Sequence, residues 1–161
     1  MRALSWVEVA AVFAAGGAVL AAFIPAFVEN LEASRLAEPL EGLGTIAARA
    51  TALAAGRPIE QSYPETVGLT PSVVPRGERV VDPPGTWDKP TWQRLGFRFD
   101  RPHAFSFLFE SSNGKGIAAF EARAHGDLDG DGVLSTFMVR GESRDQHQPM
   151  VFPLEIDREV E

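Results

Sequence analysis

The chain has 161 residues, 15 basic and 22 acidic side chains for a net charge of −7, and no cysteine. That length suits a single domain. The acidic balance argues against a nucleic-acid backbone as the main partner, and the lack of thiols rules out any disulfide staple.

The first distinctive stretch runs from Leu4 to about Val28. Residues 9–28 hold twenty positions without a charge, which as a helix would rise roughly 30 Å, one hydrocarbon thickness. Glu8 stands just before that run, among Leu4, Trp6, Val7 and Val9. An ionised carboxylate at bilayer depth costs on the order of 2–3 kcal/mol, so it calls for a partner. Arg2 on one side, with Glu29 and Glu32 on the other, points the N-terminus toward the cytoplasm. Gly16 and Gly17 among alanines would let neighbouring helices approach closely or would loosen the segment.

Glu8 and Pro25 stand seventeen residues apart inside this apolar opening, and in that spacing the chain resembles the type IV pilin and pseudopilin family. The resemblance implies a short leader, Met1 to Ala3, trimmed by a prepilin peptidase between Ala3 and Leu4. It also implies storage in the bacterial inner membrane with the head in the periplasm, handling by an inner-membrane assembly platform, and packing against identical or homologous subunits in a filament. The roles it carries over are Leu4 as the new terminus, Glu8 as the partner of a terminal amine, and Pro25 as the family's helix proline. The family usually has glycine before the cut and phenylalanine or methionine after it, and this chain has neither. An ordinary signal anchor, with Glu8 near the headgroups, is the plainer reading of the same residues.

Beyond Pro25 a helical pattern continues. Leu36, Leu40, Leu43, Ala47, Ala50 and Ala54 recur at the spacing of one packed helix face. Pro39, Gly42 and Gly44 predict a kink or a melted segment over 38–44, and Gly56 followed by Pro58 predicts the stop. A helix unbroken from Leu4 to Ala55 would reach roughly 78 Å. Residues 56–91 then carry so many prolines that a central strand is excluded, leaving a linker or an irregular loop docked through Tyr63, Val73, Val74, Val80, Val81 and Trp87.

The period then changes to two. Trp92, Leu95, Phe97 and Phe99 lead into Phe105, Phe107 and Phe109, followed by a turn at 113–116. Residues 117–125, 134–140 and 150–156 read as further strands, the last an edge strand because of Pro153. The predicted class is α+β: a long N-terminal helix, half membrane and half head, packed on a roughly four-stranded antiparallel sheet. Its divisions are a leader 1–3, a membrane and filament-core segment 4–28, a head half of the helix 29–55, a proline-rich loop 56–91 and a sheet 92–161. The phenylalanines alternate with polar residues and read as core rather than a base-stacking platform.

Between two of these strands lies Gly126-Asp127-Leu128-Asp129-Gly130-Asp131-Gly132-Val133-Leu134-Ser135. Carboxylates at every second position and glycine at the sixth match the start of an EF-hand calcium loop. Asp127, Asp129, Asp131, the Val133 carbonyl and Ser135 would supply oxygens, with Glu121 or Glu142 as remote donors, but Met138 stands where the loop's final glutamate belongs. A solvated turn that uses Asp and Gly for their conformations needs no ion at all. This run, with the segment from Trp92 to Phe99, also looks like pilin-like proteins.

Enzyme chemistry finds little in the pattern. His103, His125 and His147 are isolated and read as surface residues, and neither a Gly-x-Ser-x-Gly elbow nor a phosphate loop is present. The sequence therefore points to a structural subunit, major or minor pilin or pseudopilin. A membrane-anchored periplasmic calcium-binding module that does not polymerise is the alternative from another class, and an anchored enzyme is a third.

Overall fold

The computed structural model describes residues 36–145 and 147–157. Ala3, Leu4, Glu8 and Pro25, with the whole apolar opening, lie outside the described residues. Among those described, no helix is long and apolar enough to cross a membrane.

The expected long helix on a roughly four-stranded sheet is corrected by the architecture. The described part is mostly a six-stranded antiparallel sheet with one substantial helix, α1 (residues 36–54), and a short one. The strands are β1 (Val67–Thr70), β2 (Phe105–Asn113), β3 (Ile117–Gly126), β4 (Ser135–Arg144), β5 (Met150–Val151) and β6 (Glu155–Asp157). They lie in the order β1-β2-β3-β4-β5, and β6 also pairs with β4. Two strands escape the sequence pattern. β1 hides in the proline-rich stretch, tolerated because it is short and forms the sheet's edge beyond β2. The expected last strand is divided into β5 and β6 by residues 152–154, where Pro153 cannot donate to a ladder.

The aromatic run from Trp92 to Phe99 is not a strand. Pro90 occupies the first turn of a six-residue helix, α2 (Pro90–Leu95), and Gly96, at φ 59°, closes it in the left-handed conformation. Trp92 and Leu95 point inward from that helix, and Phe97 and Phe99 follow it around the cluster.

Nor does α1 melt over 38–44; it is continuous through Pro39, Gly42 and Gly44. Packing overrides propensity here. A Cβ built on Gly42 would lie 2.6 Å from the Phe107 ring, so the missing side chain is what lets the helix approach β2. The packed stripe is Gly42, Leu43, Ile46, Ala47, Ala50 and Ala54, while Leu40, expected in it, is exposed.

Alternation then places Phe105, Phe107 and Phe109 of β2 beside Ala124, Ala122, Phe137 and Val139 of the neighbouring strands, all buried. The 56–91 stretch lies on this core. Trp87 is buried with ring centroids 5.5 Å from both Trp92 and Phe97, and Trp92 Nε1 donates to Thr70 Oγ1 at 2.9 Å. Thr91 Oγ1 donates to the Glu65 carbonyl at 2.7 Å, which ties α2 to the segment leading into β1.

Tyr63 is held at the other end, where Asn113 exchanges two hydrogen bonds with its backbone. Its ring packs edge-on against Phe120 at 5.0 Å, and its buried hydroxyl has no hydrogen-bond partner among the described residues. Burial, with the Glu142 carboxylate adding to it, pushes the phenol up to about 12 from its ordinary 10.0. The folded chain keeps this proton over an interval in which the unfolded chain loses it. The corresponding stability is complete below pH 10.0 and disappears as pH rises toward about 12. Tyr63→Phe is expected to leave stability at pH 7 unchanged or slightly raised, and to flatten the loss of stability in urea melts taken across that alkaline range.

Candidate functional site

The Asp-rich loop joins β3 to β4 at the end of the sheet where Gly126 pairs with both Phe105 and Ser135. Asp127 is 1 % exposed, and its backbone carbonyl accepts the Gly77 N–H at 2.8 Å, so the loop is fastened to the proline-rich segment. Its carboxylate accepts the Gly130 N–H on Oδ1 at 2.8 Å and the Gly132 N–H on Oδ2 at 3.1 Å. Arg76 Nε lies 3.9 Å from Oδ2. Gly130 and Gly132 adopt φ 82° and 90°, the left-handed turns that aim their amides back at Asp127. Asp129 Oδ1 accepts the Asp131 N–H at 3.1 Å, and Asp131 Oδ1 accepts the Val133 N–H at 2.6 Å.

One oxygen from each of Asp127, Asp129 and Asp131 falls within 4.8 Å of the others, and two of the three residues are exposed. A carboxylate has about four lone-pair sites, so an oxygen that accepts one amide can still face a cation. The donors are all oxygen and suit a hard cation, calcium or magnesium alike. The residues therefore fit such an ion, although the amide bonds show that the loop can also hold its shape without one. Val133 is exposed and leaves its carbonyl on the loop, and Ser135 is already the first residue of β4. The remote donors do not join the group. Glu121 accepts from Arg140 Nε at 2.7 Å, Glu142 sits 2.9 Å from Arg144, and Met138 is a β4 residue opposite Arg123.

A second polar cluster is invisible to sequence spacing. His103, expected at the surface, is fully buried, with Nδ1 2.8 Å from the Phe105 carbonyl and Nε2 2.8 Å from Asp82 Oδ2. The same Asp82 oxygen accepts Trp87 Nε1 at 2.6 Å. Both ring nitrogens thus face oxygen acceptors. Nearby, Glu38 of α1 accepts the Ala104 and Phe105 N–H groups at 2.8 and 3.0 Å and stands 3.5 Å from Arg79. A lone histidine gives no spacing signal, and its carboxylate partner lies twenty-one residues earlier in the chain.

The other histidines differ. His125 is half-buried on β3 with Nδ1 2.9 Å from Thr136 Oγ1, and burial, reinforced by the Arg123 cation, lowers its pKa so that the ring is neutral near pH 7. His147 is exposed.

No protein family, curated protein or solved structure matches this chain, so any function assigned to it rests on its own residues.

Proposed function

We propose that this chain is a membrane-anchored structural subunit of a type IV pilus or a type II secretion-like filament. The observation that carries the reading is the seventeen-residue spacing of Glu8 and Pro25 within an opening whose residues 9–28 bear no charge. In this reading residues 4–28 are held in the inner membrane and then transferred to the filament interior, where apolar burial holds subunits together. Glu8 neutralises a terminal amine of its own or a neighbouring subunit, which removes the penalty of a lone carboxylate in hydrocarbon. The six-stranded head, with α1 against it, forms the outer surface.

Two linked measurements test this. Intact mass of the membrane-extracted protein is expected to begin at Leu4 only when the prepilin peptidase is present. Glu8→Ala is expected to abolish filaments while leaving the protein in the membrane. Wild-type filament yield from the alanine variant would remove the pairing role.

The convergence of three carboxylates in the Asp loop supports a second reading, a membrane-anchored periplasmic calcium-binding module that does not polymerise. Asp127, Asp129 and Asp131 would hold the ion, which would supply charge neutralisation and rigidity to the β3–β4 loop. Millimolar calcium is then expected to raise the melting temperature, by the equivalent of about 2.7 kcal/mol at one hundred times Kd. Replacing the exposed Asp129 and Asp131 together by Asn should remove the rise. An equal rise in that variant would show that calcium acts elsewhere.

A further inference from the structure

We propose that Asn113 is a self-modifying site: the Gly114 backbone nitrogen converts its side-chain amide to a carboxylate, and the folded head holds the reaction back with the hydrogen bonds that the reaction destroys. The chain has two asparagines, and only Asn113 precedes glycine, since Asn30 precedes leucine. A glycine, lacking Cβ, hinders attack by its own nitrogen least. The hairpin favours glycine there for a separate reason. A Cβ on Gly114 would lie 3.2 Å from the Ile117 carbonyl oxygen, the same oxygen that accepts the Gly114 N–H at 3.0 Å. The turn between β2 and β3 thus sets the most permissive neighbour directly after a labile amide.

In the reaction the Gly114 nitrogen loses its proton and adds to Asn113 Cγ, the bond from Cγ to Nδ2 breaks, and ammonia leaves behind a cyclic imide. Water then opens the imide at either carbonyl, giving aspartate by one cleavage and isoaspartate by the other. Water is consumed, ammonia is released, and no atom changes oxidation state. Ring closure therefore uses up the Gly114 N–H that binds Ile117 and expels the Nδ2 group that donates to the Tyr63 carbonyl at 3.0 Å. Asn113 Oδ1 also accepts the Tyr63 N–H at 3.1 Å, so Cγ is held from both sides and its oxygen and nitrogen ends are fixed by their partners. The reaction must proceed from a locally opened hairpin.

The product cannot restore the clamp. Aspartate at position 113 turns an acceptor toward the Tyr63 carbonyl, where a donor stood, and isoaspartate also adds a methylene to the backbone at the end of β2. Tyr63 is buried, and the chain just after it is held to β2 through Ser111, whose Oγ donates to the Pro64 carbonyl and whose N–H donates to Thr66 Oγ1 at 3.0 Å. Loss of the Asn113 bonds removes the neighbouring half of this attachment. The segment between the 3-10 turn at Ile59–Gln61 and β1 is then released, and the change is one-way.

Peptide mass mapping of the full chain in detergent micelles, aged in mildly alkaline buffer with and without urea, follows the conversion. Aspartate and isoaspartate at position 113 are expected to form at least about tenfold more slowly in the folded chain than in urea. Gly114→Ala should suppress their formation in urea. Glu60 and Glu65 are exposed on either side of Tyr63, whereas Glu110 and Glu121 lie in the sheet. Asn113→Asp is expected to raise cleavage by a glutamyl endopeptidase severalfold at Glu60 and Glu65 while leaving Glu110 and Glu121 as resistant as in the fresh wild type. Equal conversion with and without urea would overturn the restraint, and no conversion at 113 in urea would remove the site. Unchanged cleavage at Glu60 and Glu65, or an equal rise at all four glutamates, would overturn the local release of the Tyr63 segment.

Discussion

Asp82→Ala is expected to destabilise the head by about 2–6 kcal/mol, because it removes the oxygen shared by two buried ring nitrogens and leaves both without an acceptor. Asp82 Oδ2 receives both His103 Nε2 and Trp87 Nε1, and the His103 side chain is fully buried. With the carboxylate gone, two buried donors lose their acceptor at once, each at about 1–3 kcal/mol. Urea unfolding of the full chain in detergent micelles, followed by tryptophan fluorescence, reads this directly because Trp87 and Trp92 sit in the affected cluster. Asp82→Asn keeps an oxygen for one donor and is expected to lose less. The pair His103→Phe with Asp82→Ala should fall short of the sum of the single changes, since an apolar ring no longer needs the carboxylate. Strict additivity would show that the two residues do not act together.

This cluster also marks where sequence reasoning stops. β2, β3 and the turn between them were legible because alternating Phe, Ala and polar residues over nine or ten positions admit one period only. β1 was not, since four residues flanked by prolines carry too little pattern. Trp92 to Phe99 misled for a physical reason: aromatic residues two apart imitate a strand, while Pro90 and Gly96, which bound the helix actually formed, are equally good turn residues. The Asp loop was legible as a donor group because its spacing is local, and its three carboxylates do converge. The buried partners of His103 and Glu38 are tertiary, brought from as far as sixty-seven residues along the chain, and no local spacing announces them.

The continuity of α1 through Pro39, Gly42 and Gly44 has the same tertiary origin, and a second large effect is expected where the helix meets the sheet. Phe107 is fully buried and packs on Phe97 at 5.2 Å and Phe99 at 5.3 Å, with Trp87 at 6.5 Å. Phe107→Ala is expected to cost about 3–5 kcal/mol, the lost transfer of the ring plus the cavity left between helix and sheet. Gly42→Ala tests the contact from the other side. Its Cβ would meet the ring at 2.6 Å, and a tightly packed interior resists such an insertion by about 1–3 kcal/mol. In Phe107→Leu the smaller side chain leaves room for that methyl, so Gly42→Ala should be milder there than in the wild-type chain, and urea midpoints of the four proteins provide the comparison. An alanine at position 42 that costs nothing in the wild type would mean that α1 does not lie against Phe107, and the helix would then have to be explained by its own propensity, which Pro39, Gly42 and Gly44 do not favour.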